Sequence, residues 1–158
     1  MKKKILRFLF SLLLLGILPG CIQQEKTLIP EASVHLELNL TYQDKALKVS
    51  QGYKIYTRDN VDQKIEEYGT GFGGVLVYHG INEVGGESYY AFDAACPHCG
   101  RRDITLQVDS AHLYAVCPNC GEKYDLLYGI GNPTLGISKV GLKKYNVVQV
   151  GSILTIRN

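Results

Sequence analysis

The sequence predicts an all-β domain, a sandwich or barrel of short antiparallel strands. Three observations carry this expectation. Residues 33–40, SVHLELNL, alternate strictly between apolar and polar, the period of a half-buried strand. Short apolar runs then recur along the chain, separated by Gly, Asn, Asp and Ser turns, the spacing expected of a sandwich or barrel. Tyrosine (11) and glycine (17) are frequent and tryptophan is absent, a mix suited to strands joined by tight turns.

The first 20 residues stand apart from this domain. Lys2, Lys3, Lys4 and Arg7 form a basic start, Phe8 to Leu18 an apolar run, and Gly20 precedes Cys21. That is the plan of a secretory signal, and the run is too short for a comfortable membrane span. The ending Leu18-Pro19-Gly20-Cys21 resembles the bacterial lipobox. The resemblance implies that residues 1–20 are removed, that Cys21 is acylated, and that the chain is held on a membrane of the bacterial cell envelope, at the outer membrane or the periplasmic face. Without those residues Lys+Arg falls from 17 to 13 against 15 Asp+Glu. The net charge becomes about −2, and no basic face for nucleic acid is expected.

Residues 21–32 read as a polar tether with Pro30, and residues 33–158 as the β domain. Within 33–40, Val34, Leu36, Leu38 and Leu40 share one face; His35 lies on the other and reads as a solvated surface residue. Residues 46–57 read as a strand pair broken around Gly52, and residues 58–68 as one helical turn at most. GTGFGG at 69–74 lacks the Lys-Ser/Thr ending of a phosphate loop and the spacing of a dinucleotide fingerprint. It reads as a bulge or a close backbone approach. Strands follow at 74–79, 88–93, 103–109, 111–116, 123–126, 145–151 and 152–157. His79 and His112 lie far in sequence from any cysteine and read as structural. Asp93 and Asp125 read as turn and strand-end residues.

The chemistry lies in CPHCGRRDITLQVDSAHLYAVCPNCG, residues 96–121. Two Cys-Pro-x-Cys-Gly turns are separated by 17 residues that read as a hairpin turning at Asp109–Ser110. In such a turn both sulfurs point to one side, Pro fixes the approach of the chain, and Gly permits positive φ. Two turns brought face to face make a four-sulfur cage for a metal. Disulfides are the alternative, since the signal sends the domain to a compartment where they persist.

The segments YYAFDAACPHCG and VCPNCGEKYDLLYGIGNPTLGISKVGLKKYNVVQVGSILTI resemble the Rieske iron–sulfur family over residues 72–158. Cys96-Pro97-His98 corresponds to that family's Cys-x-His turn. Cys117-Pro118-Asn119-Cys120 corresponds to its Cys-x-x-His turn, with Cys120 where the family has His. Gly121-Glu122-Lys123-Tyr124-Asp125, Leu142-x-x-Tyr145-x-Val147 and Ile153–Ile156 follow the remaining pattern. The resemblance implies a Rieske-like antiparallel β-sandwich or barrel with a metal-binding tip formed by the two turns.

Cys96, Cys117 and Cys120 are ligands on either reading. The fourth is Cys99 by the symmetry of the turns or His98 by the Rieske pattern. The resemblance implies a [2Fe–2S] cluster and an electron-transfer or redox-relay module with a redox or protein partner still to be identified. Thiolate in place of imidazole would move its potential from about −150 to +300 mV toward about −400 mV. Four thiolates suit Zn²⁺ equally, which would make a zinc-braced binding module, and a single iron is a third occupant. No Ser/His/Asp group, paired-carboxylate cleft or open catalytic metal position is visible. The chain therefore reads as a carrier or component of an oxidoreductase system rather than an enzyme by itself.

Overall fold

The computed structural model describes residues 27–61 and 69–158. The signal, Cys21 and the first part of the tether lie outside the described residues, as do residues 62–68 of the segment 58–68 read as one helical turn at most. The described chain is nearly all β, as the alternation and turn spacing require.

Among the described residues, ten strands form two antiparallel sheets: β1 (His35–Asn39), β2 (Tyr53–Tyr56), β3 (Val75–Ile81), β4 (Glu87–Asp93), β5 (Gln107–Val108), β6 (Tyr114–Val116), β7 (Lys123–Asp125), β8 (Pro133–Leu135), β9 (Lys144–Val150) and β10 (Ile153–Arg157). Six of them make a curled half-barrel in the order β1-β10-β9-β4-β3-β2. The other four make a smaller sheet in the order β5-β6-β7-β8.

The register follows the apolar period. Leu36 lies opposite Ile156 and Leu38 opposite Leu154, and all four are buried. Val34, Tyr56, Val75, Val77 and Tyr145 join them in a core inside the curl. A second core lies between the sheets, built from Leu76, Tyr78, Phe92, Leu106, Ala115, Tyr124 and Leu126. β3 serves both cores, with Val75 and Val77 facing one and Leu76 and Tyr78 the other. That is why its sequence, VLVYHGI, shows no alternation.

Local differences from the sequence reading have local causes. Residues 46–57 are not a strand pair: a short 3-10 turn, Lys45–Lys48, precedes β2. Asp44 fixes this corner, accepting from the Asn39 N–H (2.9 Å), Lys54 Nζ (2.8 Å) and the Tyr56 hydroxyl (2.7 Å). The hairpin expected to turn at Asp109–Ser110 opens into a longer loop. Asp109 Oδ1 accepts from the N–H groups of Leu113 (2.9 Å) and Tyr114 (3.0 Å), so pairing starts only at Tyr114. β8 lies in a stretch read as turn. Within the expected tether, residues 27–32 are not free. Ile29 is buried, and Lys143 Nζ holds the Pro30 carbonyl (2.9 Å) and the Glu31 carboxylate (3.0 Å). No helix among the described residues is long and apolar enough to cross a membrane.

Candidate metal centre

Each Cys-Pro-x-Cys turn is the tip of a loop closed by strand-like pairing. Loop 96–104 is closed where Ala95 pairs with Thr105. Loop 117–122 is closed where β6 meets β7 at Val116–Lys123. The two tips share one local geometry. The N–H of Gly100 donates to the Cys96 carbonyl and that of Gly121 to the Cys117 carbonyl, each at 2.9 Å. Both glycines take positive φ, 61° and 76°, a conformation that costs a side-chain-bearing residue free energy.

The tips meet. The sulfurs of Cys96, Cys99, Cys117 and Cys120 all lie within 4.8 Å of one another. Cys96 Sγ is 3.7 Å from Cys120 Sγ, and Cys99 Sγ is 3.8 Å from Cys117 Sγ. These separations are far longer than a disulfide bond of about 2.05 Å, and all four thiols are free. Both close pairs join one tip to the other, so the sulfurs interleave rather than cluster by turn.

The surroundings are those of a thiolate site. Backbone N–H groups of Cys99 and His98 point at Cys96 Sγ, and those of Cys120 and Asn119 at Cys117 Sγ. The Glu122 N–H points at Cys120 Sγ. Asn119 Nδ2 donates to Cys99 Sγ at 3.4 Å, and the Tyr124 hydroxyl lies 3.4 Å from Cys96 Sγ. Burial, then the Cys96 sulfur beside it, holds the Tyr124 hydroxyl well above its ordinary range, so it remains a donor. Burial works against ionising Cys117, but the Cys120 and Asn119 N–H groups together with the Cys120 and Cys96 thiols lower it. Burial and the neighbouring thiols raise Cys96 and Cys120. One thiolate forms readily and the next are opposed, which a bound cation would relieve.

The two tips differ in cover. Pro97 is buried and Pro118 exposed. The Leu28 N–H reaches the Pro97 carbonyl at 3.4 Å. Leu28 also packs so closely over the first tip that a Cβ on Gly100 would lie 2.6 Å from its own. Cys96 and Cys117 are buried, Cys99 half-buried and Cys120 exposed. His98 is half-buried, and its ring is not part of the four-sulfur group.

The other histidines lie elsewhere. His35 is exposed on β1. His79 is buried, with Nδ1 3.1 Å from the Val49 carbonyl and its ring stacked on Tyr89 at 4.4 Å. His112 meets the edge of Tyr53 at 5.0 Å.

Two carboxylates support the tips: Asp93, which the sequence reads only as a turn or strand-end residue, and Glu122, to which that reading assigns no role. Asp93 binds the glycine-rich loop to the residue before Cys96. Glu122 is buried just past Cys120, and its Oε1 accepts from the N–H groups of Ile137 (2.6 Å) and Ser138 (3.1 Å). The signal for Glu122 was available. It shares the period-two face of Tyr124 and Leu126, both fully buried.

Searches with protein-family models and among curated proteins return no match for this chain.

Proposed function

We propose that the four cysteines hold a single metal ion, zinc, which braces the tip of a lipid-anchored envelope protein. The carrying observation is the sulfur geometry. A tetrahedron with Zn–S bonds of about 2.3 Å has edges of roughly 3.8 Å, against pairs at 3.7 and 3.8 Å here. A two-iron cluster divides four thiolates between two metals, so its cross-pair sulfurs must stand wider than one tetrahedral edge. The spread of at most 4.8 Å supports one ion over two.

The chain's own groups suit that role. Cys96, Cys99, Cys117 and Cys120 supply the donors. The N–H groups at each tip, Asn119 and the Tyr124 hydroxyl orient the sulfurs and favour their ionised forms. A closed four-thiolate zinc supplies binding free energy to the folded state and leaves no open position for a substrate. Its effect is to lock loop 96–104 against loop 117–122.

The electron-carrying reading keeps one supporting feature. Cys120 is exposed, so an iron centre there would lie close to a partner's surface. Metal analysis with a visible spectrum on anaerobically purified protein separates the two. Colourless protein with one zinc per chain is expected; red-brown protein with two irons per chain would overturn the zinc reading.

His98→Ala is expected to retain full metal content, because the sulfur group is complete without the imidazole. Loss of metal in that variant would make His98 the fourth ligand.

For the anchor, intact-mass analysis is expected to find the mature chain beginning at an acylated Cys21 and partitioning into detergent. Cys21→Ala should carry no acyl mass. A wild-type chain with an unmodified Cys21 would end the lipobox reading.

A further inference from the structure

We propose that the end of the domain bearing the four cysteines is a membrane-facing surface, with Leu28 and Ile137 entering the interfacial layer of the bilayer. The inference rests on the proposed lipid at Cys21 and adds an orientation to it.

Among the described residues, Leu28 is the first held against the cysteine tips. Its N–H and side chain engage Pro97 and Gly100 of the first tip, and Lys143 clamps Pro30 and Glu31 behind it. From Cys21 to Leu28 is seven residues, which span at most about 25 Å when fully extended. Leu28, seated against the first cysteine turn, therefore lies within about 25 Å of Cys21. A domain of this size is some 30–40 Å across, so the tether draws this end toward the bilayer and holds the opposite end away.

The side chains at this end are suited to the layer they would meet. Leu28 is 61% exposed beside the first tip. Ile137 is 78% exposed, and its backbone is fixed to Glu122 next to the second tip. Isolated exposed apolar residues mean little. Here two of them lie beside the sulfur group, one next to each tip, at the end where the anchor would attach. Other exposed apolar residues include Tyr42, Val49, Val84 and, on β9, Val148 and Val150. β9 starts beside Asp93, whose N–H donates to the Lys143 carbonyl. It then runs seven residues away, about 20 Å at strand rise. Val150 is thus beyond the clamp, at the far end.

The chain contains no tryptophan, so one introduced indole reports alone. The full-length protein, lipidated in a bacterial host, would be placed in vesicles of phosphatidylethanolamine and phosphatidylglycerol with brominated acyl chains. Sedimentation with the vesicles reads the anchor, and quenching reads the orientation. Ile137→Trp is expected to lose about half its emission, given the 5–10 Å depth of interfacial apolar side chains, while Val150→Trp keeps its own. Vesicle-bound protein with equal quenching at both sites, or more at position 150, would overturn the surface alone. Protein that does not sediment with vesicles would overturn the anchor, and the surface with it. Unchanged metal content in both variants checks that the tips are intact.

Discussion

Cys117→Ser is expected to give metal-free protein whose thermal midpoint falls by more than about 10 °C, from a loss of about 4 kcal/mol. Cys117 Sγ is buried, 3.8 Å from Cys99 Sγ in the other tip. Burial opposes ionising its thiol, but the Cys120 and Asn119 N–H groups together with the Cys120 and Cys96 thiols lower it. A serine hydroxyl at that place is shorter, does not ionise in this range and binds soft metals poorly. The remaining three thiols then cannot close a shell. A metal held at a thousand times its dissociation constant contributes about 4 kcal/mol to the folded state, and that contribution disappears. The two hydrophobic cores remain, so the variant is expected to fold but to melt early. Metal analysis and a thermal scan check this together. Full metal content with an unchanged midpoint would remove Cys117 from the site and the brace from the fold.

The four cysteines that come together were legible in the sequence because their spacing carries geometry. A Cys-Pro-x-Cys-Gly turn has essentially one way to place two sulfurs, and positive φ at Gly100 and Gly121 follows from it. The alternation at 33–40 was legible for the same reason. Each of Val34, Leu36, Leu38 and Leu40 is buried, and the residues between them are exposed or partly so. Strands that are half-buried announce themselves by period two.

What was not legible depended on partners distant in sequence. Asp93 looked like a strand end because its four donors come from residues 72, 73, 95 and 145. β8 was missed because Pro133–Leu135 is short and mostly exposed, and only its pairing with β7 makes it a strand. Leu28 looked like part of a free tether. Its docking depends on the bare backbone of Gly100 at the first tip, which only the folded loop presents. The sulfur spread is likewise a property of two loops meeting. No motif states it.

Asp93→Asn is expected to cost about 3 kcal/mol while leaving metal stoichiometry intact, because it removes a support of the site and none of its donors. Asp93 Oδ1 accepts from the N–H groups of Gly73 (3.1 Å) and Ala95 (2.8 Å). Its Oδ2 accepts from the Phe72 N–H (2.9 Å) and the Tyr145 hydroxyl (2.6 Å). The Asp93 carboxylate thus takes two N–H groups of the GTGFGG loop, Phe72 and Gly73. An asparagine must turn its amide NH₂ toward one of these pairs. Tyr145 can reverse its hydroxyl and accept, but a backbone N–H cannot. At least one buried N–H therefore faces another donor, at a cost of about 1–3 kcal/mol beyond the weakened remaining bonds. Ala95 adjoins Cys96, so the first tip loosens while its sulfurs stay available. The distinguishing readout is kinetic: a chelator should extract the metal faster from Asp93→Asn than from the wild type, at equal starting content. Tyr145→Phe, which removes one donor and leaves none facing another, should lose only about 1 kcal/mol. Equal melting of Asp93→Asn and wild type would refute the carboxylate's role. Loss of metal at the outset would mean that the first tip cannot form without it.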